Sequence, residues 1–225
     1  MSRKHGVVTA FVKEIDAGQG RVRVKYRDID EQLDSGWAYI ASPMAGKGRG
    51  ALFMPEPEDE VLVAFGDSDF DYPYVVGFLW NGAQKSPETD HNNRVIVTPG
   101  GHELRFEDKG KSPAGRVIVK SSGGHKITLD DAPGAGKITI EASTGVVTVE
   151  LANVPPSVTI RSGGNTVMMG VAGISLSAAA PMTIAAPAVF VNSPLVTFAG
   201  VVQCQSLIAQ SVVSPLYTPG IGNLI

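Results

Sequence analysis

From Ser162 to Ile225 the chain carries no Asp, Glu, Lys, Arg or His: 64 consecutive residues without a charge, the last being Arg161. A folded segment of that length ordinarily covers its outer face with charges. Disorder does not explain it, because disordered chains combine low hydrophobicity with high charge, and here Val, Ile, Leu, Met and Phe recur throughout. The segment is therefore expected to be buried against copies of itself, or to form an unusually uncharged rod, or both.

The rest of the composition narrows the class. The chain has 225 residues and a mass of 23.6 kDa, room for one large or two small domains. Lys and Arg number 19 against 22 for Asp and Glu, a net charge of −3, without the basic surplus of a general nucleic-acid binder. A single Cys excludes a disulfide scaffold and a cysteine zinc site. No basic-then-apolar leader and no apolar run of about 20 residues occurs, so neither a signal peptide nor a membrane-spanning helix is expected.

The first part reads as short strands. Gly6–Lys13, Arg21–Tyr26, Trp37–Ala41, Glu60–Phe65 and Tyr74–Trp80 are rich in β-branched and aromatic residues, with turn signals between them. Arg21-Val22-Arg23-Val24-Lys25-Tyr26 alternates polar and apolar, which leaves one face wet. Five such strands predict a small barrel of the OB type over residues 1–82. The polar stretch Asn81–Asn93 lacks apolar periodicity, so 83–100 is read as linker and lead-in.

Beyond it a repeat sets in: an apolar-x-apolar pair followed by Gly, Ser, Asn or Pro. The pairs begin with Leu104/Phe106 and Val117/Val119. They continue as Ile127/Leu129, Ile138/Ile140, Val147/Val149, Val158/Ile160, Val167/Met169 and Ile174/Leu176, the expected core. Met182/Ile184, Val189/Val191 and Val196/Phe198 close the series. From Ile127 the first members are spaced 11, 9, 11, 9, 7, 8, 7 and 7 residues apart. Each unit reads as a short strand with two inward side chains, and the shrinking turns predict a taper. One such strand cannot bury its apolar face alone, and seven-residue steps are too short for a single-chain β-helix. The pattern predicts three identical chains wound together over 101–200, each changing face at every turn. At about 4.8 Å per layer, eleven strands give a prism on the order of 50 Å long. Residues 201–225 form a C-terminal tip segment.

Several pieces, taken in order, carry a family resemblance. They are Gly20–Tyr26 (GRVRVKY), Ser35–Ala38 (SGWA), Gly46–Gly50 (GKGRG), Pro55–Phe65 (PEPEDEVLVAF), Pro73–Gly77 (PYVVG), Asn81-Gly82 and Gly101–Asp108 (GHELRFED). The set resembles contractile-tail central spike proteins, the family of phage baseplate assembly protein V and of VgrG-type spikes. The resemblance implies an all-β protein: an N-terminal OB-fold barrel, then an intertwined triple-stranded β-helix, or β-prism, built by a homotrimer. It implies a structural, non-enzymatic role in a phage-tail or injection-particle baseplate, in a protein made in the bacterial cytoplasm and needing no cofactor. The barrel would dock on a hub and the rod would touch the target outer membrane. VgrG-type spikes carry a hub domain before the OB fold. Here strands start within ten residues of Met1, so the hub is expected to be a separate protein. No lysozyme domain separates barrel from repeat. No His follows His125, so the His-x-His iron site of some phage spikes is not expected. The residues Leu216, Tyr217, Ile221, Leu224 and Ile225 instead suggest a platform for a separate tip protein of the PAAR type.

Other candidate chemistry reads more plainly. Asp67, Asp69 and Asp71 have the alternation of a calcium loop, but the Gly and Glu that an EF-hand needs are replaced by Tyr72 and Phe78. Glu56, Glu58 and Glu60, then Glu88 and Asp90, could form a carboxylate pair for glycoside hydrolysis, yet a prolyl turn gives no sign of a cleft and reads as solvated. His102 and His125 each follow Gly-Gly, which suggests a turn-exit role. Cys204, among Val and Leu, reads as a buried, inert thiol. Lys25, Arg27, Lys47, Arg49, Tyr26 and Trp37 could serve a nucleic-acid-binding OB face. The alternatives to a spike are therefore a tail-associated cell-wall or polysaccharide hydrolase and a nucleic-acid-binding OB protein with a trimerisation stalk. The repeats show no carboxylate cluster in sequence, which counts against the hydrolase.

Overall fold

The computed structural model describes residues 6–27, 34–110 and 113–214. It is all-β; among the described residues the single helical element is the 3-10 turn Gly66–Ser68. Two sheets dominate. The first is a closed barrel and the second a long antiparallel sheet.

The barrel is built from β1 (Val7–Asp16), β2 (Arg21–Tyr26), β3 (Ala38–Ile40), β6 (Glu60–Phe65) and β7 (Pro73–Phe78), closing in the order β1-β2-β3-β7-β6. Only β3 and β7 run parallel. A separate two-stranded hairpin, β4 (Ala45–Gly46) and β5 (Arg49–Gly50), occupies a stretch that reads as turn in sequence. The alternation along β2 places Val22, Val24 and Tyr26 inside, where they meet Ala10, Val12, Ala38, Val61, Val63 and Val75. Phe65 and Phe70 pack on the Tyr26 ring with centroids 5.8 and 6.2 Å away. Tyr26 is thus core, not a stacking surface for a base.

The polar stretch after the barrel is a hydrogen-bonded strap. Asn81 Oδ1 accepts from the backbone N–H of Ala83 and Gln84, while its amide donates to Glu60 Oε2 at 3.1 Å. Glu60 is buried and also accepts from Arg27 at 3.3 Å, so this carboxylate of the prolyl turn is not solvated. Gln84 donates to Asp59 at 3.0 Å. At the far end Glu88 Oε1 accepts from the backbone N–H of Thr89 (2.7 Å) and Asp90 (2.9 Å), and Oε2 from the Asn93 amide (3.0 Å). Glu88 also pairs with the Arg105 guanidinium. The Asp90 N–H first, then Asn93 and Arg105, hold the Glu88 carboxyl down at about 2.

The long sheet begins inside the segment read as lead-in. Its strands are β8 (Asn93–Val97), β9 (Glu103–Asp108), β10 (Gly115–Lys120), β11 (Lys126–Asp130), β12 (Lys137–Glu141), β13 (Val147–Asn153), β14 (Pro156–Ser162), β15 (Asn165–Gly170) and β16 (Gly173–Ser177). Each pairs antiparallel with the next, without a crossover. The all-β class, with an OB-type barrel followed by a long β-structure, is what the sequence implies. The expectation that the chain changes face at every turn is corrected over Asn93–Ser177. There the connections hold five or six residues as far as β13 and two thereafter. Connections of that length close hairpins between antiparallel neighbours, so one chain supplies one continuous sheet.

Two glycines make the tight turns possible. Gly124 has φ +90, and a Cβ there would lie 3.2 Å from the Ser143 Cβ. A Cβ on Gly164 would lie 2.7 Å from that of Ala179.

Residues 180–225 form a second unit. From Ala180 to Ser214 no strand is present in the single chain and every residue is exposed, Cys204 included, contrary to the expected buried thiol. Pro181, Pro187 and Pro194 punctuate this stretch. Each removes a ladder donor, which works against further hairpins at six- or seven-residue intervals. The expected tip residues Leu216, Tyr217, Ile221, Leu224 and Ile225 lie outside the described residues.

Two outcomes test these assignments. Val24→Ala opens a cavity in the barrel core and is expected to cost about 2 kcal/mol, read by urea unfolding of the barrel. The Glu88 carboxyl lies below its ordinary value, so its contribution is complete above pH 4.5 and lost as pH falls through about 2. The strap is expected to resist pepsin at pH 4 and be cut near pH 2. Glu88→Gln, uncharged throughout, should erase that difference after correction for pepsin activity.

Candidate functional site

The pleat sorts the long sheet into two unlike faces. On one face the register aligns two apolar columns. The first runs Phe106, Val117, Leu129, Ile138, Leu151, Val158, Met169, Ile174, each opposite the next. The second runs Ile96, Leu104, Val119, Ile127, Ile140, Val149, Ile160, Val167, Leu176. Directly opposed apolar side chains of this kind are the unit of sheet stabilisation, about 0.2–1 kcal/mol per pair.

Eleven of the twelve residues expected in the core stand in these columns. The twelfth, Val147, shares the face but sits one position further out, opposite Ser162, and its carbonyl accepts from Ala142 N at 3.0 Å. Leu151 takes the column place. Val147, Val149 and Leu151 alternate identically in sequence, so the signal was present; only the neighbours' register selects the pair. In one chain this face is open. Ile127, Leu129, Ile138, Ile140, Ile160 and Met169 are 39–45% exposed, and exposure rises to 70% at Ile174.

The other face is charged and internally paired. Arg116 lies 3.5 Å from Glu107 and 3.8 Å from Asp130, its partners on the two flanking strands. Lys126 meets Glu141 at 2.7 Å and Lys137 meets Glu150 at 2.8 Å. The neighbouring Glu150 raises the Lys137 ammonium above its ordinary value. Arg105 joins Glu103 and Glu88. Asp130, Glu141 and Glu150 thus line one shallow hollow of about 300 Å³ with Arg116, Lys126 and Lys137. This gathering of carboxylates is invisible in the sequence, where they stand nine to eleven residues apart. Each has a cation as its near neighbour, the arrangement of a charge ladder and not of an acid–base pair set across a scissile bond.

The remaining candidates have structural partners. His102 Nδ1 accepts from Ser122 N, and His125 Nδ1 from Ser143 N, both at 3.3 Å. Asn165, after the third Gly-Gly, accepts from Ala179 N at 3.1 Å. All three side chains stitch one turn to the next along the same sheet edge. Asp69 Oδ1 accepts from Asp71 N, and among the described residues no three His, Cys, Asp or Glu are grouped to hold a metal ion. On the barrel, the Arg21 and Arg23 guanidinium carbons each lie 4.8 Å from the centre of Trp37. The stacking face that a nucleobase would use is taken by the protein's own cations.

Comparison with known proteins agrees with this division. Residues 4–80 match the type VI secretion system/phage-baseplate injector OB domain. Residues 116–197 match the phage baseplate V C-terminal trimerisation domain. The type VI secretion system spike protein VgrG4b of Pseudomonas aeruginosa is 37% identical over 103 residues, 40% of this chain and 13% of that protein. VgrG5 of the same organism is 37% identical over 103 residues, again 13% of its length. VgrG3 of Vibrio cholerae is 29% identical over 106 residues, 41% of this chain and 10% of that protein. The chain therefore matches only a small part of these relatives. With an injector OB domain, a trimerisation domain and a sheet left open on its apolar face, the chain carries both domains of the phage baseplate V family and is similar over 40% of its length to VgrG spike proteins.

Proposed function

We propose that the chain is the non-enzymatic central spike of a contractile-tail baseplate, acting as a homotrimer. The observation that supports this best is the pair of apolar columns in register from β9 to β16, open on one face. Three copies facing a common axis would close those columns into a dry core and leave the ion-paired faces outward. The barrel, 1–82, would dock on a hub protein, 83–100 would lead into the shaft, 101–200 would form it, and 201–225 would carry the tip. Between 180 and 200, where prolines discourage hairpins, strand partners would come from the neighbouring chains, and there the three would intertwine. Leu216, Tyr217, Ile221, Leu224 and Ile225 would seat a PAAR-type tip protein.

The work done would be mechanical. Sheath contraction would drive a stiff rod through the target envelope, and stiffness follows from a continuous strand ladder over a packed core. Unfolding would require exposing the core of all three chains together, which makes kinetic stability high. A leading segment without charges crosses lipid with little desolvation cost.

Light scattering after size exclusion is expected to give three times 23.6 kDa, about 70.8 kDa, with a species that resists detergent on an unheated gel. Val149→Asp would set three carboxylates against the axis and is expected to abolish that species. A wild-type mass of 23.6 kDa, or a normal trimer yield from Val149→Asp, would overturn the reading.

A further inference from the structure

The outside of the barrel is divided into two unlike walls. Past the bulge that follows Val12, β1 and its partner β2 carry paired charges outside: Arg21 with Asp16 at 2.9 Å, Arg23 with Glu14 at 3.3 Å, Lys13 with Asp34 at 2.5 Å. Along β7 the outward positions are uncharged. Tyr74 faces outward beside Ala64, Val76 stands at the bulge, and past it Gly77 faces outward beside Leu62 while Phe78, opposite the core residue Val61, turns to the other side; Tyr74, Val76, Phe78 and the following Trp80 are 43–68% exposed. Their lateral neighbours are also uncharged: Tyr39 opposite Tyr74 on β3, and Leu62 and Ala64 on β6. Next to this wall lies a groove of about 570 Å³ under the β4–β5 hairpin, lined by Tyr39, Met44, Leu52, Phe53 and Phe78, with Arg49 its one charged lining residue.

A contiguous aromatic wall on a soluble domain marks an interaction surface. Geometry points to its occupant. The sheet that follows belongs to a trimerisation domain, so three barrels are tethered to one assembly. The strap between barrel and sheet is fixed at both ends, to Glu60 and Asp59 and to Arg105. The three barrels are therefore held at a high effective concentration. A three-fold ring contact is heterologous: two different patches of each copy must meet. The β7 wall and the hairpin groove are two such patches, and Tyr39 borders both. Adjacent patches meeting at a ridge give the wedge that a three-fold ring requires.

We propose that the three barrels pack as a ring, the β7 wall of each copy seated on the hairpin-groove side of the next, with Tyr39 at the ridge between the two contacts. This rests on the trimeric reading above. The second copy, not a hub, supplies the main cover of the aromatic wall.

The test uses the full chain with Trp37→Phe, which leaves Trp80 as the one tryptophan. At trimer mass, acrylamide quenching of Trp80 is expected to be about threefold weaker than in the same chain in urea, as for a packed interface core. Val76→Lys should raise it toward the urea value while the mass stays at the trimer value, because the sheet still holds three chains together. Tyr39→Lys, on the neighbouring strand, should act in the same direction, which covers a failure of the first variant to fold. A trimer in which Trp80 is as open as in urea, or stays shielded in both lysine variants, would overturn the ring and leave the trimer standing. A parent chain that runs as a monomer would overturn the trimeric reading itself.

Discussion

The structure depends on register. In a β-sheet a slip of one residue moves every side chain to the opposite face. Here such a slip would turn Ile138, Ile140, Val149 and Ile160 toward the ion pairs, and Lys126, Lys137 and Glu150 toward the apolar columns. Both faces therefore vote for the same alignment. The ion pairs are worth little in stability, being partly exposed, but they penalise the wrong register, since Arg116 finds a carboxylate on both flanking strands only when the columns are aligned. The turns add a third constraint. His102, His125 and Asn165 each reach from one turn to the backbone of the next on the same edge.

That redundancy ends in stages. Arg161 is the last charge, so β15 and β16 keep the apolar columns but have no ion pairs behind them. The connections have by then shortened to two residues, and a two-residue hairpin sets register through its own geometry. Beyond Ser177 the prolines take away ladder donors at regular intervals, and as far as Ser214 no further strand forms within the chain. Exposure of the apolar columns rises over the same stretch, from 41% at Met169 to 70% at Ile174. A sequence that progressively withdraws its own means of local pairing while keeping its apolar side chains leaves them without burial by its own hairpins.

Much of this was legible in the sequence. The five barrel strands lie where β-branched alternation puts them, because a closed barrel with a filled interior obeys period two closely. The same alternation already placed Tyr26 on the side of Val22 and Val24, so its burial was readable too. What the sequence hid were contacts between distant residues. Glu60 looks like one of three solvated glutamates until Arg27 and Asn81 converge on it from 33 and 21 residues away. The carboxylates of the charged face stand apart along the chain and come together only through the pleat. Choosing Leu151 over Val147 needed the register of two neighbouring strands. The change of face at every turn failed for a simpler reason: spacing alone does not say whether the next strand pairs within the chain or with another copy, whereas hairpin-length connections do.

Barrel and sheet solve the same problem in the same way. Each has one wall that carries ion pairs formed within the chain and another that is largely uncharged. Arg21 and Arg23 are held by Asp16, Glu14 and the Trp37 ring much as Arg116 and Lys126 are held by their cross-strand carboxylates. A self-satisfied charged wall has little to gain from a partner, since pairing it elsewhere would only exchange ion pairs and incur desolvation. An uncharged wall of Val, Ile, Tyr and Phe gains roughly 25 cal/mol for every Å² of apolar surface it buries. The asymmetry therefore gives both parts of the molecule a direction. In the proposed trimer it would set which side turns inward, in the barrel and in the sheet independently.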